Sequence, residues 1–305
     1  MSRIKLTILF LLTGSLACLM SQSYGQTQQI DSAAIVPADV KEKIQHLSSD
    51  DPKKRARAAC ALGKMRERAA SSIPYLIALL SDGTAIDPSL QCKNEVYFED
   101  EEWQPAFEEL RESTVGFAAT QSLIAINLPA IKPLIKTLID GADWRARKNA
   151  AWALFHIGGL RSDVMEALIE GTKDDEWQVR AQSAYGLGHK GASQIDVVPH
   201  LLKSLADSHA RVRESAAMGL WHTAIDTAIP AMIAALDDPD PAVRKQLAQS
   251  LGNRVDNSSV NLLIAAAADK NIRIREGARE ALKVVNQRAS GNFTHMQRFE
   301  APRQE

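Results

Sequence analysis

Seven histidines and three cysteines are the residues of this chain best suited to metal or thiol chemistry. Metal sites on helices pair such ligands at fixed spacings, often with a carboxylate beside a histidine. His46, His156, His189, His200, His209, His222 and His295 precede Leu, Ile, Lys, Leu, Ala, Thr and Met, so no His-Glu pair occurs. HExxH, a GxSxG nucleophile elbow, a P-loop and CxxC are missing as well, and neither catalytic residues, metal ligands nor a cofactor can be assigned. Cys18 lies in an apolar leader, which leaves Cys60 and Cys92 as the thiols of the mature chain. In an oxidising compartment they are candidates for a disulfide, although spacing alone does not give their separation. A different pattern is more individual: Trp152–His156, Tyr185–His189 and Met218–His222 are each four residues apart, on one helical face. Trp144 and Trp177 also recur, each three residues before an arginine.

The elements that position this stripe are repeats. An aliphatic residue or Ala, then Arg, two variable positions, two small residues, a variable position and small–Leu recur along the chain. The arginines stand at 147, 180, 213, 244 and 275, spaced 33, 33, 31 and 31, with Arg55 opening an earlier copy. A further copy, Val115 to Leu123, has Gly116 in the arginine's place. Within each copy the apolar positions fall at i, i+4, i+7 and i+8, one face of a helix. A second helix follows in segments such as Ile73 to Leu80 and Val197 to Leu205, with Pro74, Pro199 and Pro230 at its first turn, where no N–H is needed. Asp82, Asp140, Asp174, Asp207, Asp238 and Asp269 end these segments and are expected to cap the next first helix or hold its loop. Such pairs bury no core alone and must stack, so the fold class is all-α, a right-handed α-solenoid of about seven two-helix repeats.

The repeated signature resembles the HEAT-repeat family, in the short HEAT-like form also found in phycobilisome bilin lyases, from Pro37 to about Gln287. The resemblance implies a solenoid used mostly for protein contacts, with Arg55, Arg147, Arg180, Arg213, Arg244 and Arg275 as an internal stabilising ladder. Some relatives are enzymes: deoxyhypusine hydroxylases carry paired His-Glu iron ligands, which this chain lacks, and bilin lyases act on cytoplasmic phycobiliproteins.

An acidic insertion interrupts the stack between 83 and 111, carrying Asp87, Glu95, Glu99, Asp100, Glu101, Glu102, Glu108 and Glu109 against Lys93 and Arg111, a balance of −6. It also holds Tyr97, Phe98, Trp103 and Phe107, four of the sixteen aromatics, some of which should dock on the solenoid. Outward positions of the first helices read Cys60, Gln121, Trp152, Tyr185, Met218, Gln249 and Glu280, and the three central pairs are expected to form an external binding stripe. Two plainer readings stand beside it. Histidines at helix ends suit the helix dipole, and the insert or the tail could cover the apolar partners. One zinc ion on all three histidines is ruled out by geometry. Neighbouring helices lie about 8–10 Å apart, whereas zinc holds imidazole nitrogens at about 2.0–2.1 Å.

Arg3 and Lys5 precede an apolar run from Leu6 to Met20, and Ser23 and Gly25 suit cleavage before Gln26. Residues 1–25 are therefore expected to be a signal peptide, 26–36 a linker, 37–287 the solenoid and 288–305 a disordered tail. The mature chain is expected to be periplasmic or extracellular; lipidation at Cys18 is the weaker reading, because Ser15 stands where leucine is normal. A formal charge of −1 argues against a nucleic-acid partner. Removing Arg3 and Lys5 takes it to −3, so the insert's −6 leaves +3 on the rest. The sequence thus points to an exported, non-enzymatic scaffold that binds a protein or peptide through aromatic burial, with pH sensitivity from the histidines.

Overall fold

The computed structural model describes residues 36–92, 113–158, 161–190, 197–223, 226–256 and 259–289. The expected signal peptide, nearly all of the linker, insert residues 93–111 and the tail from 290 onward lie outside the described residues. The chain divides into two units, Met1–Pro37 and Ala38–Glu305, and every described helix lies in the second.

Fourteen α-helices run through the described residues of that unit, and no strand is present among them. After α1 (Ala38–His46), first helices alternate with shorter second helices. The first helices are α2 (Pro52–Lys64), α4 (Val115–Ile126), α6 (Trp144–Gly158), α8 (Trp177–Lys190), α10 (Ala210–His222), α12 (Pro241–Arg254) and α14 (Ile272–Ala289). The second helices are α3 (Ile73–Ala78), α5 (Ile131–Asp140), α7 (Ser162–Gly171), α9 (Val198–Ser204), α11 (Ile229–Ala234) and α13 (Val260–Ala266). Each first helix packs on the next, α2 on α4 and so on to α14, while second helices line one side of the row. This is the all-α solenoid expected from the repeats. The final helix α14 runs to Ala289, two residues beyond the expected boundary.

Sequence explains why the pairs stack so closely. Ala59, Leu62, Ala118, Leu123, Ala150, Leu154, Leu187, Leu220 and Leu251 carry the small–Leu signature and are wholly buried. The closest approach is between α8 and α10, where a Cβ on Gly188 would lie 1.9 Å from the Gly219 Cα. Only glycine lets two helix backbones meet in this way. Pro74, Pro199 and Pro230 each occupy the first turn of a second helix. The last helix turns Glu276, Arg279, Glu280 and Lys283 to solvent, the polar outer face that a terminal solenoid helix needs.

The repeat arginines form a relay along one edge of the solenoid. Arg147 donates from Nε and Nη2 to the Asp174 carboxylate at 2.6 and 2.9 Å, and from Nη1 to the Gly141 and Ala142 carbonyls at 2.8 and 3.2 Å. Arg180 does the same to Asp207 and to the carbonyls of Asp174 and Asp175. Arg213 repeats the pattern with Asp238, Asp207 and Ser208. Arg55 pairs with Asp82 and the Ser49 and Asp50 carbonyls, whereas Arg244 and Arg275 keep the carbonyl contacts. Each aspartate also accepts from the amide two residues on, as Asp207 does from His209 at 2.8 Å, so it holds its own loop.

Of the two roles expected of these aspartates, holding the loop is the one found, and Asp140 departs from it. These residues do not cap the next first helix; caps come from residues further along, such as Asp51, Asp143 and Asp240. Asp140 is not part of the relay at all. It is exposed and pairs with Lys136 within its own helix, because it stands seven residues before Arg147, one more than the relay spacing, which puts Gly141 at the relay position.

Candidate functional site

The central stripe is an aromatic cluster rather than an open row. Trp152 lies 4.6 Å from the His156 ring, 5.9 Å from Phe155, and 6.4 Å from both Phe117 and the parallel ring of Tyr185. Phe155 meets Tyr185 edge-on at 5.0 Å. Met218 continues the row against Ala181 and Val212, with Trp177 and Tyr185 packed on that group. Four consecutive first helices, α4 to α10, therefore contribute to one apolar body, and offset or tilted ring pairs of this kind add about 0.5–1.5 kcal/mol each beyond their burial.

The expectation that these side chains point freely outward is overturned at the centre. Trp152 is 5 % exposed and Met218 3 %. The row is covered from its start. Ile86 and Cys92 of the insert's first arm pack with Cys60, Val115 and Ala118, and the Cys92 amide donates to the Gln121 Oε1 at 2.9 Å. Further on, the rings cover one another. What reaches the surface is the rim: His156, Trp177 and Tyr185 are half-buried. The side chains of His189 and His222 lie outside those described.

Trp144 and Trp177 make further contacts of their own. Trp144 carries the Arg145 guanidinium 4.5 Å above its ring, with the Lys148 ammonium at 5.5 Å. Trp177 stacks on His209 at 3.9 Å with the planes 7° apart. His209 is the residue that the sequence pattern does not single out. It caps α10, its Nδ1 accepting from the Arg211 amide at 3.3 Å. Burial pushes its imidazole below the usual histidine range; Asp207 opposes this, and Arg180, Arg211 and Arg213 reinforce it. The neutral ring that the cap requires is thus the favoured form. Beside it, burial would raise the Asp207 carboxyl, but the hydrogen bonds from Arg180 and the His209 amide, with the Arg180 charge, bring it below the ordinary aspartate value.

Cys60 on α2 and Cys92 in the insert's first arm are joined as a disulfide, with Cα atoms 5.0 Å apart. Among the described residues no group of three His, Cys, Asp or Glu converges as a metal-holding set. No helix there is long and apolar enough to cross a membrane. A cavity of about 310 Å³ lies on the relay edge between Gly141, Arg147, Gly171 and Asp174, away from the aromatic cluster.

Comparison with known proteins agrees with this geometry. Residues 131–221 and 198–283 match HEAT repeats, and residues 54–82 match the PBS lyase HEAT-like repeat. No curated protein matches the sequence. The karyopherin Kap121p, bound to the extreme C-terminus of the protein phosphatase Cdc14p, superposes with a TM-score of 0.55 at 14 % identity, over 81 % of this chain and 29 % of its own. Importin beta superposes with a TM-score of 0.52 at 16 % identity, over 90 % of this chain and 41 % of its own. Human deoxyhypusine hydroxylase aligns over 82 % of this chain and 85 % of its own at 19 % identity, but its TM-score of 0.34 is too low to carry an argument. The likeness to the karyopherins is one of fold. With repeat matches running from 131 to 283 and stacked helix pairs on both sides of that span, the chain belongs to the HEAT-repeat family.

Proposed function

We propose that this chain is an exported, non-enzymatic scaffold that binds a protein or peptide at the rim of its aromatic cluster. The observation that carries the reading is a division of labour among side chains. The repeat arginines spend their donors on internal carboxylates and carbonyls, while aromatic residues of two consecutive repeats surface together at His156, Trp177 and Tyr185. Interface anchors are enriched in Trp and Tyr seated on well-packed neighbours, and this rim has that character. Kap121p, which shares the helical fold, is bound to the C-terminus of a phosphatase, a partner of the class proposed here. The leader at 1–25 supports export.

The test places a photo-reactive phenylalanine analogue at His156, on the same rim, in the mature chain and crosslinks it in extracts of the native envelope. A discrete crosslinked polypeptide that is lost in a Trp177→Ala/Tyr185→Ala variant of unchanged helicity supports the site. Capture that survives the double substitution refutes it. Stoichiometric iron in the purified protein would refute the non-enzymatic reading in favour of a hydroxylase-like activity. A reporter active only outside the cytoplasm, fused after Gly25, tests export, and an inactive fusion overturns it.

A further inference from the structure

Between Arg55 and Arg213 the arginine–aspartate relay stops at one place, and the stop is built into the backbone. Beyond Arg244, where no pair to Asp269 is found among the described residues, Arg288 ties α14 to the Gly252 and Val255 carbonyls instead. A rung needs an arginine on a first helix and an aspartate 25 or 27 residues later, as in Arg213–Asp238 and Arg147–Asp174. In the second repeat the corresponding positions are Gly116 and Gly141, 25 residues apart, so both halves of the rung are missing together. Gly116 has no room for a side chain: a Cβ would lie 2.8 Å from the Leu80 carbonyl oxygen and 3.0 Å from that of Asp82. Its own amide takes the Asp82 carbonyl at 2.9 Å, a role that arginine Nη1 fills elsewhere in the relay. The insert causes this crowding. Its two ends are pinched together where the Val115 amide donates to the Thr84 carbonyl at 3.1 Å and the Ile86 amide to the Ser113 carbonyl at 2.8 Å.

On either side of the gap the helices are tied in different ways. Before it, α2 and α4 share the Arg55–Asp82 pair, the Cys60–Cys92 disulfide next to α4, and a buried hydrogen bond from the Ser122 hydroxyl to the Ala59 carbonyl at 2.7 Å. After it, the relay resumes at the Gly141 carbonyl and runs through Asp174, Asp207 and Asp238 to Arg244. Helix α5 packs on α6 and α7 and so belongs with the later group. The gap itself is crossed by the packing of α4 on α6, with Phe117 against Trp152, and by the Asn149 amide donating to the Leu80 carbonyl at 2.8 Å. In a solenoid, stability is a sum of repeat and nearest-neighbour interface terms, so the interface lacking a term opens first.

We propose that the α4–α6 junction is an articulation that divides the solenoid into two cooperative blocks, α1–α4 and α5–α14. The test is hydrogen exchange of the intact mature protein across sub-denaturing urea. In the wild-type chain, amides of α2 and α4 follow one opening isotherm and those of α8, α10 and α12 another. A Cys60→Ser/Cys92→Ser variant lowers protection tenfold or more in α2 and α4 and leaves α8 to α12 within twofold; Asp207→Asn does the reverse. Reduction of the wild-type disulfide supplies the first comparison should the double variant fail to fold. A single isotherm shared by all five helices, or losses spread evenly across both blocks, overturns the proposal.

Discussion

Asp238→Asn is the substitution that most directly tests whether the relay holds the stack together. The Asp238 side chain is 7 % exposed and its partner Arg213 12 %. Its Oδ2 accepts from Arg213 Nε at 2.6 Å, and its Oδ1 accepts from Arg213 Nη2 at 2.9 Å and from the Asp240 amide at 2.8 Å. Asparagine keeps one acceptor and turns an NH₂ toward the guanidinium, so a charge-assisted bond is lost and two donors face each other. Removing one partner of a buried pair costs about 3–5 kcal/mol. This pair borders water along the edge, and the Asp240 amide keeps its acceptor, so the expected loss is about 2–4 kcal/mol. Asp163→Asn is the control: it changes the same residue type in an Arg161 pair with side chains 41 % and 49 % exposed. That change should cost about 1 kcal/mol or less. Arg213→Lys should fall between the two, because lysine keeps the charge but cannot form the two-pronged bond and the carbonyl contacts together. Urea unfolding followed at 222 nm reads all three. With a slope of about 2–3 kcal/mol/M, the first variant moves the midpoint down by about 1 M while the control barely moves it. Equal shifts for Asp238→Asn and Asp163→Asn would refute the view that the relay contributes through burial.

Acid should weaken the edge in two steps with the same sign. His209 has a folded pKa below its unfolded value, so the unfolded chain binds the proton more readily and stability falls as pH drops below about 6.5. Asp207 is lowered as well, so its contribution is present above about pH 4 and is lost as pH falls through its folded value. Unfolding midpoints between pH 8 and 3 check both, and His209→Asn, which keeps a capping side chain, should flatten the first step. Gly188→Ala should destabilise by about 1–3 kcal/mol or more, because its Cβ meets the Gly219 backbone and no side chain there can swing away; a neutral result in thermal melts would show that α8 and α10 can separate freely. Reducing Cys60–Cys92 releases a crosslink spanning 32 residues and should cost about 3–4 kcal/mol, read as a lower urea midpoint in reductant.

The relay was legible because its residues repeat by type and spacing; the exceptions show what a linear pattern misses. Asp140 ends its segment like the others, yet it stands seven residues before Arg147 where the relay aspartates stand six before their arginines, and Gly141 takes the relay position. The stripe positions share one face of each first helix, but periodicity does not say what lies beyond that face. The arm at 86–92 covers Cys60 and Gln121, and ring-on-ring contact covers Trp152. His209 escaped notice because its place, four residues before the repeat arginine, is held elsewhere by Asp51, Asp143, Glu176, Asp240 and Asn271. In the structure the imidazole nitrogen does the work of a capping carboxylate or amide oxygen.

The aromatic cluster and the articulation are connected by one residue. Phe117 sits on α4, in the first block, while Trp152, Phe155 and Tyr185 sit on α6 and α8 in the second. A ring pair such as Phe117–Trp152 contributes about 0.5–1.5 kcal/mol, roughly a two- to tenfold bias on an opening equilibrium. A rung such as Arg213–Asp238 would hold the same junction far more tightly and leave a ligand little to alter. With the rung replaced by two glycines, a partner that packs on the His156–Tyr185 rim, which rests on Trp152, gains or loses according to where Phe117 stands. Its binding energy then acts on the junction by the same amount, since coupling between the two is reciprocal. The missing rung therefore puts the proposed recognition surface beside the proposed articulation, so a Phe117→Ala variant should loosen partner capture at this rim and, in the absence of partner, raise exchange in α4 and α6 before any other helix.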